Sequence, residues 1–250
     1  MTKNTAITIG GTTIKPGQRA SINLPIADLY TGTSVSMPVK VVSGKRKGPT
    51  LFVCAAIHGD ELNGVEIIRR LLHAPALRRV SGTMMLVPIV NLFGFHNRSR
   101  YLPDRRDLNR SFPGSESGSL AARLAHVFMS EVVARADVGI DLHTAAIHRD
   151  NLPQIRANMD DPETAALANA FGVPVILNAN LRDGSLRDAV ADQGIPVLLY
   201  EAGESLRFNA DAIQAGVDGV LRVMAALEMI GPRKFFVEVA HRVGEEIPLG

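Results

Sequence analysis

Apolar and polar residues change their rhythm near residue 50. Before it the chain reads as short strands and turns. Residues 21–24 and 37–42 are strand candidates, and Ser43-Gly44-Lys45-Arg46-Lys47-Gly48-Pro49 marks a turn through its two glycines and its proline. Residues 51–57 then form an unbroken apolar run of strand length, the pattern of a strand buried on both faces. Over residues 61–72 the apolar positions Leu62, Val65, Ile68, Leu71 and Leu72 recur at helical spacing. Residues 83–90 read as a second buried strand whose regular part Pro88 ends. Further helices are expected over 120–133, 165–171, 185–193 and 210–229. Short strands are expected over 138–142 and 196–200, with a last one over 235–239.

Strands alternating with helices imply an α/β domain with a mixed, largely parallel central sheet and helices on both faces. We divide the chain into an N-terminal β-rich segment (1–50) packed on a catalytic domain (51–234), followed by residues 235–250. In sheets of this kind ligands bind beyond the carboxyl ends of the strands. His58, His143 and Glu201 each directly follow an expected buried strand.

Composition narrows the picture. Apolar residues make up 46% of 250 positions, enough for a substantial core, and the net charge is only +2. Lys and Arg are interspersed with Asp and Glu, so nothing demands nucleic acid or an acidic membrane. No apolar run reaches the roughly 18 residues that span a bilayer. The first residues lack the apolar core of a signal peptide, and a cytoplasmic location is the expectation. The single cysteine, Cys54, lies inside the 51–57 run and reads as a packed, inert thiol.

Four stretches carry candidate chemistry. In His58-Gly59-Asp60-Glu61 an imidazole and a carboxylate three residues apart meet at a strand–helix junction, and both are ordinary zinc ligands. The acidic pair also suits a helix N-terminus, so the tetrapeptide alone leaves both readings open. In Asp141-Leu142-His143-Thr144 a second histidine stands at a strand end, with Asp141 as a candidate partner for its far ring nitrogen. Taken alone it reads first as a histidine satisfied beside a turn. Glu201 ends an apolar strand, where a carboxylate is costly to desolvate without a partner. It suits the base that a catalytic zinc site needs, or a carboxylate that merely reaches solvent, as Glu204 beyond Gly203 is expected to do. Five arginines crowd residues 98–114. Their planar forks suit an anionic substrate, or pairing with Asp104 and Asp107 in a solvated loop. His73, His96, His126 and His241 lie in helix, loop or tail contexts, and His148 is a candidate for the pocket wall but not for a ligand.

Together these stretches resemble the succinylglutamate desuccinylase/aspartoacylase family, a branch of the zinc carboxypeptidase-like hydrolases. The matching motifs are His58-Gly59-Asp60-Glu61, Asp107-Leu108-Asn109-Arg110-Ser111-Phe112-Pro113-Gly114, Asp141-Leu142-His143-Thr144 and Tyr200-Glu201, in the family's order. The resemblance implies one zinc ion per chain on His58, Glu61 and His143. It implies Glu201 as general base and later proton donor to the leaving amine. Asn109 and Arg110 would hold the substrate carboxylate, with Arg156 as a further contact. Arg100, in an Arg-Tyr pair like the family's, would polarise the scissile carbonyl, with Arg106 as the alternative. A β-rich domain usually follows the catalytic one in this family. Residues 235–250 are therefore read as a strand or as a remnant of that domain.

The implied reaction is hydrolysis of the amide of an N-acyl amino acid, with that small molecule as the partner and a homo-oligomer left open. A metallocarboxypeptidase acting on peptides and a non-catalytic metal or carboxylate binder are the alternatives.

Overall fold

The structure is a computed structural model that describes residues 2–231 apart from 29, 180 and 192. The expected strand over 235–239 lies outside the described residues. A small hairpin, β1 (Ile7–Ile9) and β2 (Thr12–Ile14), comes first. It leads to β3 (Arg19–Asp28), β4 (Ser34–Ser43) and β5 (Arg46–Ala55). Then come α1 (Asn63–His73), β6 (Ser81–Val87), α2 (Leu92–Asn97) and α3 (Leu120–Glu131). Next are β7 (Val138–Ala145), β8 (Asn151–Ala157), α4 (Pro162–Phe171) and β9 (Val175–Asn178). The last described elements are α5 (Leu186–Ala191), β10 (Val197–Glu204) and α6 (Ala210–Ala226).

Eight strands form one sheet in the order β3-β4-β6-β5-β7-β10-β8-β9. Its centre, β6-β5-β7-β10, is parallel throughout, while β3 and β4 extend it antiparallel on one side. On the other side β8 joins β10 antiparallel and β9 joins β8 parallel. This is the mixed, largely parallel sheet expected from the alternation of elements.

Strand pleating sorts the apolar runs into two cores. Leu51, Val53 and Ala55 of β5 face α1, α4 and α6, where Ile67, Phe171 and Val220 lie fully buried. Phe52 and Cys54 point the other way, towards α3, α5 and β1–β3. There Phe52 meets the edge of Phe128 at 5.8 Å between ring centroids. An aromatic pair also knits the first core. Phe171 stacks on Tyr200 at 5.1 Å, and the buried Tyr200 hydroxyl donates to the Ala212 carbonyl at 2.7 Å. Packing at these distances leaves no room at some backbones. A Cβ at Gly64 of α1 would stand 2.7 Å from the Ala55 Cβ and 2.8 Å from the Leu142 Cβ, so glycine lets the helix sit directly on β5 and β7.

Several boundaries differ from the sequence reading for identifiable reasons. The turn read over 43–49 shrinks to Gly44 and Lys45, because β5 begins at Arg46 and pairs there with Ser81. The helix expected from 61 begins at Asn63, since residues 58–61 close a turn in which the Glu61 amide donates to the His58 carbonyl. β6 stops at Val87, one residue before Pro88. α4 starts three residues early because Asp161 caps it from outside, accepting from the Thr164 amide at 2.8 Å. Strands β8 and β9 have no counterpart in the sequence reading, and β8 proves central to the site.

Candidate functional site

His58 just after β5, His143 near the end of β7 and Glu201 within the second half of β10 are brought to one place at the carboxyl ends of these strands. After β5 the chain turns at Ala56, in the left-handed region at φ 52°, and the Ala55 and Ala56 carbonyls accept the Val90 and Asn91 amides. Gly59 lies against the backbone of α2, where a Cβ would meet the Gly94 carbonyl carbon at 2.0 Å and the Phe95 nitrogen at 2.1 Å. That close approach anchors the His58–Glu61 turn. In the parallel register Glu201 of β10 stands beside His143 of β7.

His58, Glu61 and His143 come together with their ligand atoms within 4.8 Å of one another, all three residues buried. Glu61 lies between the two imidazoles. Its Oε1 is 2.7 Å from His58 Nδ1 and its Oε2 is 2.7 Å from His143 Nδ1. Such pairs of lone-pair atoms need a cation between them, a proton or a metal ion. The Thr144 amide also donates to Oε2 at 3.1 Å. Each histidine is held from behind by an aspartate, His143 Nε2 by Asp141 Oδ2 at 2.7 Å and His58 Nε2 by Asp107 Oδ1 at 3.1 Å. A carboxylate on Nε2 fixes the tautomer that presents Nδ1 to an ion. Two imidazole nitrogens and a carboxylate, buried and backed by two further carboxylates, fit the donor set of a divalent transition metal.

The electrostatics follow from this packing. Burial works against a charged His58, but Glu61 and Asp107 outweigh it and its pKa is raised. For His143 burial is outweighed by Asp141 and Glu61, and the pKa lies well above the ordinary value. Burial pushes Glu61 up, and the two histidines bring it far below the usual carboxylate range. Asp141 receives a second contact from the buried Cys54, whose Sγ lies 3.4 Å from Oδ1.

A cavity of about 500 Å³ opens over this cluster. Glu201 is on its wall, its side chain 18% exposed, with Oε2 accepting from Arg156 Nε at 2.7 Å and from Gln154 Nε2 at 3.1 Å. Arg100 reaches in from the loop after α2. Its Nε and Nη2 donate to Asp107 Oδ2 at 3.2 and 3.1 Å, and its Nη1 lies 3.6 Å from Glu61 Oε1. Arg106 is absent from the cavity wall and pairs instead with Asp104 at 3.6 Å. Asn109 and Arg110 also line the cavity. Asn109 is held by its backbone amide on Asp107 Oδ1 and by its Oδ1 on the Leu186 amide, both at 2.9 Å. Its side-chain NH₂ has no partner among the described residues. Glu204 lies away from the cavity, pairing with Arg207 at 3.0 Å and accepting the His148 amide at 2.7 Å. His148 itself is exposed and does not line the cavity.

Three contributions escape the sequence reading, in whole or in part. Asp107 pairs with a loop arginine, Arg100, as the sequence reading allows, but its bond to His58 is revealed only by loop closure. Gln154 lies on the unrecognised β8. Arg187 reads as one position of an amphipathic helix, yet it is 8% exposed and lines the cavity. Its guanidinium donates to the Ala179 carbonyl at 2.6 Å and has no carboxylate at ion-pair distance among the described residues. Burial lowers its pKa, Arg156 and Arg182 add to that, and the nearby Asp141 opposes it. An unpaired buried cation facing a cavity is the one signal that identifies it.

Residues 47–227 match the model of the succinylglutamate desuccinylase/aspartoacylase catalytic domain. An N-alpha-acetyl-L-2,4-diaminobutyric acid deacetylase of Halomonas elongata is 32% identical over 216 residues, which are 82% of this chain and 63% of the deacetylase. Among solved structures, a succinylglutamate desuccinylase/aspartoacylase from Rhodobacter sphaeroides is 30% identical with a TM-score of 0.76, covering 85% of this chain and 66% of that one. The product-bound ectoine utilization protein of Ruegeria pomeroyi is 25% identical with a TM-score of 0.80, covering 92% and 73%. The chain thus spans just under two thirds of the deacetylase and of the Rhodobacter protein. The fold is the zinc carboxypeptidase-like α/β arrangement of these relatives.

Proposed function

The chain belongs to the succinylglutamate desuccinylase/aspartoacylase family, and from that membership and the cavity chemistry we propose that it hydrolyses the amide bond of an N-acyl amino acid with one zinc ion on His58, Glu61 and His143. The observation that carries this reading is the meeting of three groups in one cavity: a buried His-Glu-His donor set, a carboxylate base beside it, and unneutralised arginines around it. The name of the Halomonas relative, a deacetylase of an N-acetylated amino acid, supports the same reaction class.

Zinc in such a set supplies Lewis acidity to a carbonyl and acidifies an attacking water. The remaining work belongs to side chains of this chain. Glu201 takes a proton from the water as it attacks the acyl carbon and returns it to the leaving amine. Arg100, fixed by Asp107, donates to the carbonyl oxygen as it gains charge, an interaction often worth about 3 kcal/mol. The Asn109 NH₂ and the Arg110 guanidinium hold the carboxylate of the amino-acid part. Arg187, buried without an ion-pair partner among the described residues, takes a second anionic group of the substrate.

The test is a panel of N-acetyl, N-succinyl and N-formyl amino acids, with short peptides alongside, assayed before and after chelation and zinc restoration. Turnover that chelation abolishes and zinc restores is expected, with Glu201→Gln inactive while still binding zinc. A fully active Glu201→Gln variant would remove Glu201 from its role. Preferential cleavage of peptides would move the chain to the carboxypeptidases.

A further inference from the structure

The resemblance casts Arg156 as a substrate contact, but its nearest charged neighbour is the base. We propose that Gln154 and Arg156 of β8 form a clamp that holds Glu201 by one carboxylate oxygen, making both positioning residues for the base rather than substrate ligands. The proposal rests on the reading of Glu201 as that base.

The clamp follows from the pleat. β8 runs antiparallel to β10, with Gln154 opposite Glu201 and Arg156 opposite Leu199. Residues two apart on a strand share a face. Ile155 and Ala157 are fully buried in the core under the sheet, and Ile155 pairs with the buried Tyr200. That burial leaves Gln154 and Arg156 no face but the one Glu201 occupies. Both donate to the same atom, Oε2, at 3.1 and 2.7 Å, and Oε1 has no protein partner among the described residues. One oxygen is therefore tied and the other is left for proton transfer.

Glu201 needs such support because β10 loses its regularity there. The ladder to β7 shifts between Glu201 and Glu204, and the ladder to β8 shifts between Glu201 and Gly203. Such irregularities re-aim side chains and end regular pairing. A glutamate at the last regular position has three side-chain torsions, and the pairing beyond it is out of register. Two donors from a strand anchored in the core supply the rigidity. The Arg156 guanidinium takes its orientation from the base, since its Nε donates to Glu201.

The two roles separate in the kinetics. Removing a substrate ligand raises KM, whereas loosening a base lowers kcat with KM preserved. We would measure both constants for zinc-loaded Arg156→Gln, Arg156→Lys and Gln154→Leu, with Glu201→Gln as reference. The substrate is the member of the N-acyl amino acid panel that the parent turns over fastest. Zinc content and thermal unfolding of every variant establish that the site and fold persist. We expect Arg156→Gln to lower kcat at least about tenfold with KM within about twofold, in line with the sensitivity of catalysis to misplacement of about 1 Å. Arg156→Lys should recover part of the loss, and Gln154→Leu should lower kcat by a smaller factor. A raised KM with parent kcat in Arg156→Gln would overturn the clamp and make Arg156 a substrate ligand. Parent kcat in both Arg156→Gln and Gln154→Leu would also overturn it, while an inactive Glu201→Gln would leave the base assignment standing. A fully active Glu201→Gln would remove the base and the clamp together.

Discussion

Asp107 offers the sharpest test of how the site is held together. It touches three functional groups at once. Oδ1 accepts from His58 Nε2 at 3.1 Å and from the Asn109 amide at 2.9 Å, while Oδ2 accepts from Arg100 at 3.1 and 3.2 Å. Burial pushes its pKa up, but His58 and Arg100 outweigh that and hold it far below the carboxylate range, so it is charged at neutral pH. Asp107→Ala removes the group that orients His58. Losses of this kind weaken metal binding about 10- to 100-fold, or about 1.4–2.8 kcal/mol. Asp107→Asn behaves differently. Its oxygen still accepts from His58, but its NH₂ then faces the Arg100 donors. We expect zinc affinity to fall by no more than about tenfold, while turnover falls further because Arg100 loses its anchor. Competition for zinc against a chromophoric chelator measures the first effect and kcat the second, with Asp141→Asn as the matching change behind His143. Parent zinc affinity in Asp107→Ala would refute the reasoning, since His58 would then need no support from this loop.

Three further outcomes follow from particular contacts. Arg187→Met should raise KM with kcat less affected, because it removes a buried cavity-lining cation that has no carboxylate at ion-pair distance among the described residues; a parent KM would take Arg187 out of substrate binding. Gly59→Ala should cost about 1–3 kcal/mol and weaken zinc binding, since its Cβ would meet backbone atoms of Gly94 and Phe95 that cannot rotate away; differential scanning calorimetry and chelator competition read the two effects, and parent values would contradict the close approach. Glu66, paired with Arg69 at 2.6 Å and Arg70 at 2.9 Å, has its pKa lowered to about 2, chiefly by Arg69. A depressed carboxyl adds stability above its unfolded pKa and loses it as pH falls towards 2. Glu66→Gln should therefore lower stability at pH 7 by less than about 1 kcal/mol, as expected of a solvent-screened pair, with the deficit shrinking in acid titrations; a deficit that grows in acid would reverse the sign.

The positions of His58, His143 and Glu201 were legible because each ends an apolar run. A buried parallel strand needs such a run, and the polar residue that closes it lies at the strand's carboxyl end, although β7 and β10 continue past His143 and Glu201. Asp141 was legible through alternation, two residues before His143 on the same face of β7, and the structure bonds it to His143. Asp107 was visible as a member of an arginine-rich loop, but its bond to His58 was not, because that contact joins residues 49 apart. The loop takes its shape from residues far along the chain. Phe112 and Asn109 are tied to Gly184 and Leu186 by hydrogen bonds that no local pattern announces.

Strand β8 was hidden for a reason that bears on the site. Pro153 interrupts its apolar alternation, and Leu152 on its outer half is 71% exposed. A proline inside a sheet argues against a strand because it cannot donate to the ladder. Here the paired residues are Gln154 opposite Glu201 and Asn151 opposite Gly203, so Pro153 falls within the register shift, where the regular ladder is already broken. The irregularity that admits the proline is the one that ends the regular part of β10 at Glu201. The feature that concealed the strand and the feature that leaves the base needing external support are thus the same break in pairing. Charge was concealed in a similar way. The chain's +2 is nearly neutral, yet Arg110, Arg149, Arg182 and Arg187 line the cavity with no carboxylate at ion-pair distance among the described residues, whereas Arg100 and Arg156 are engaged by Asp107 and Glu201. Whole-chain composition averages over a field that only the fold concentrates. That field favours substrates carrying more than one negative charge, and among the panel compounds those with an acidic acyl group or acidic side chain should show the lowest KM.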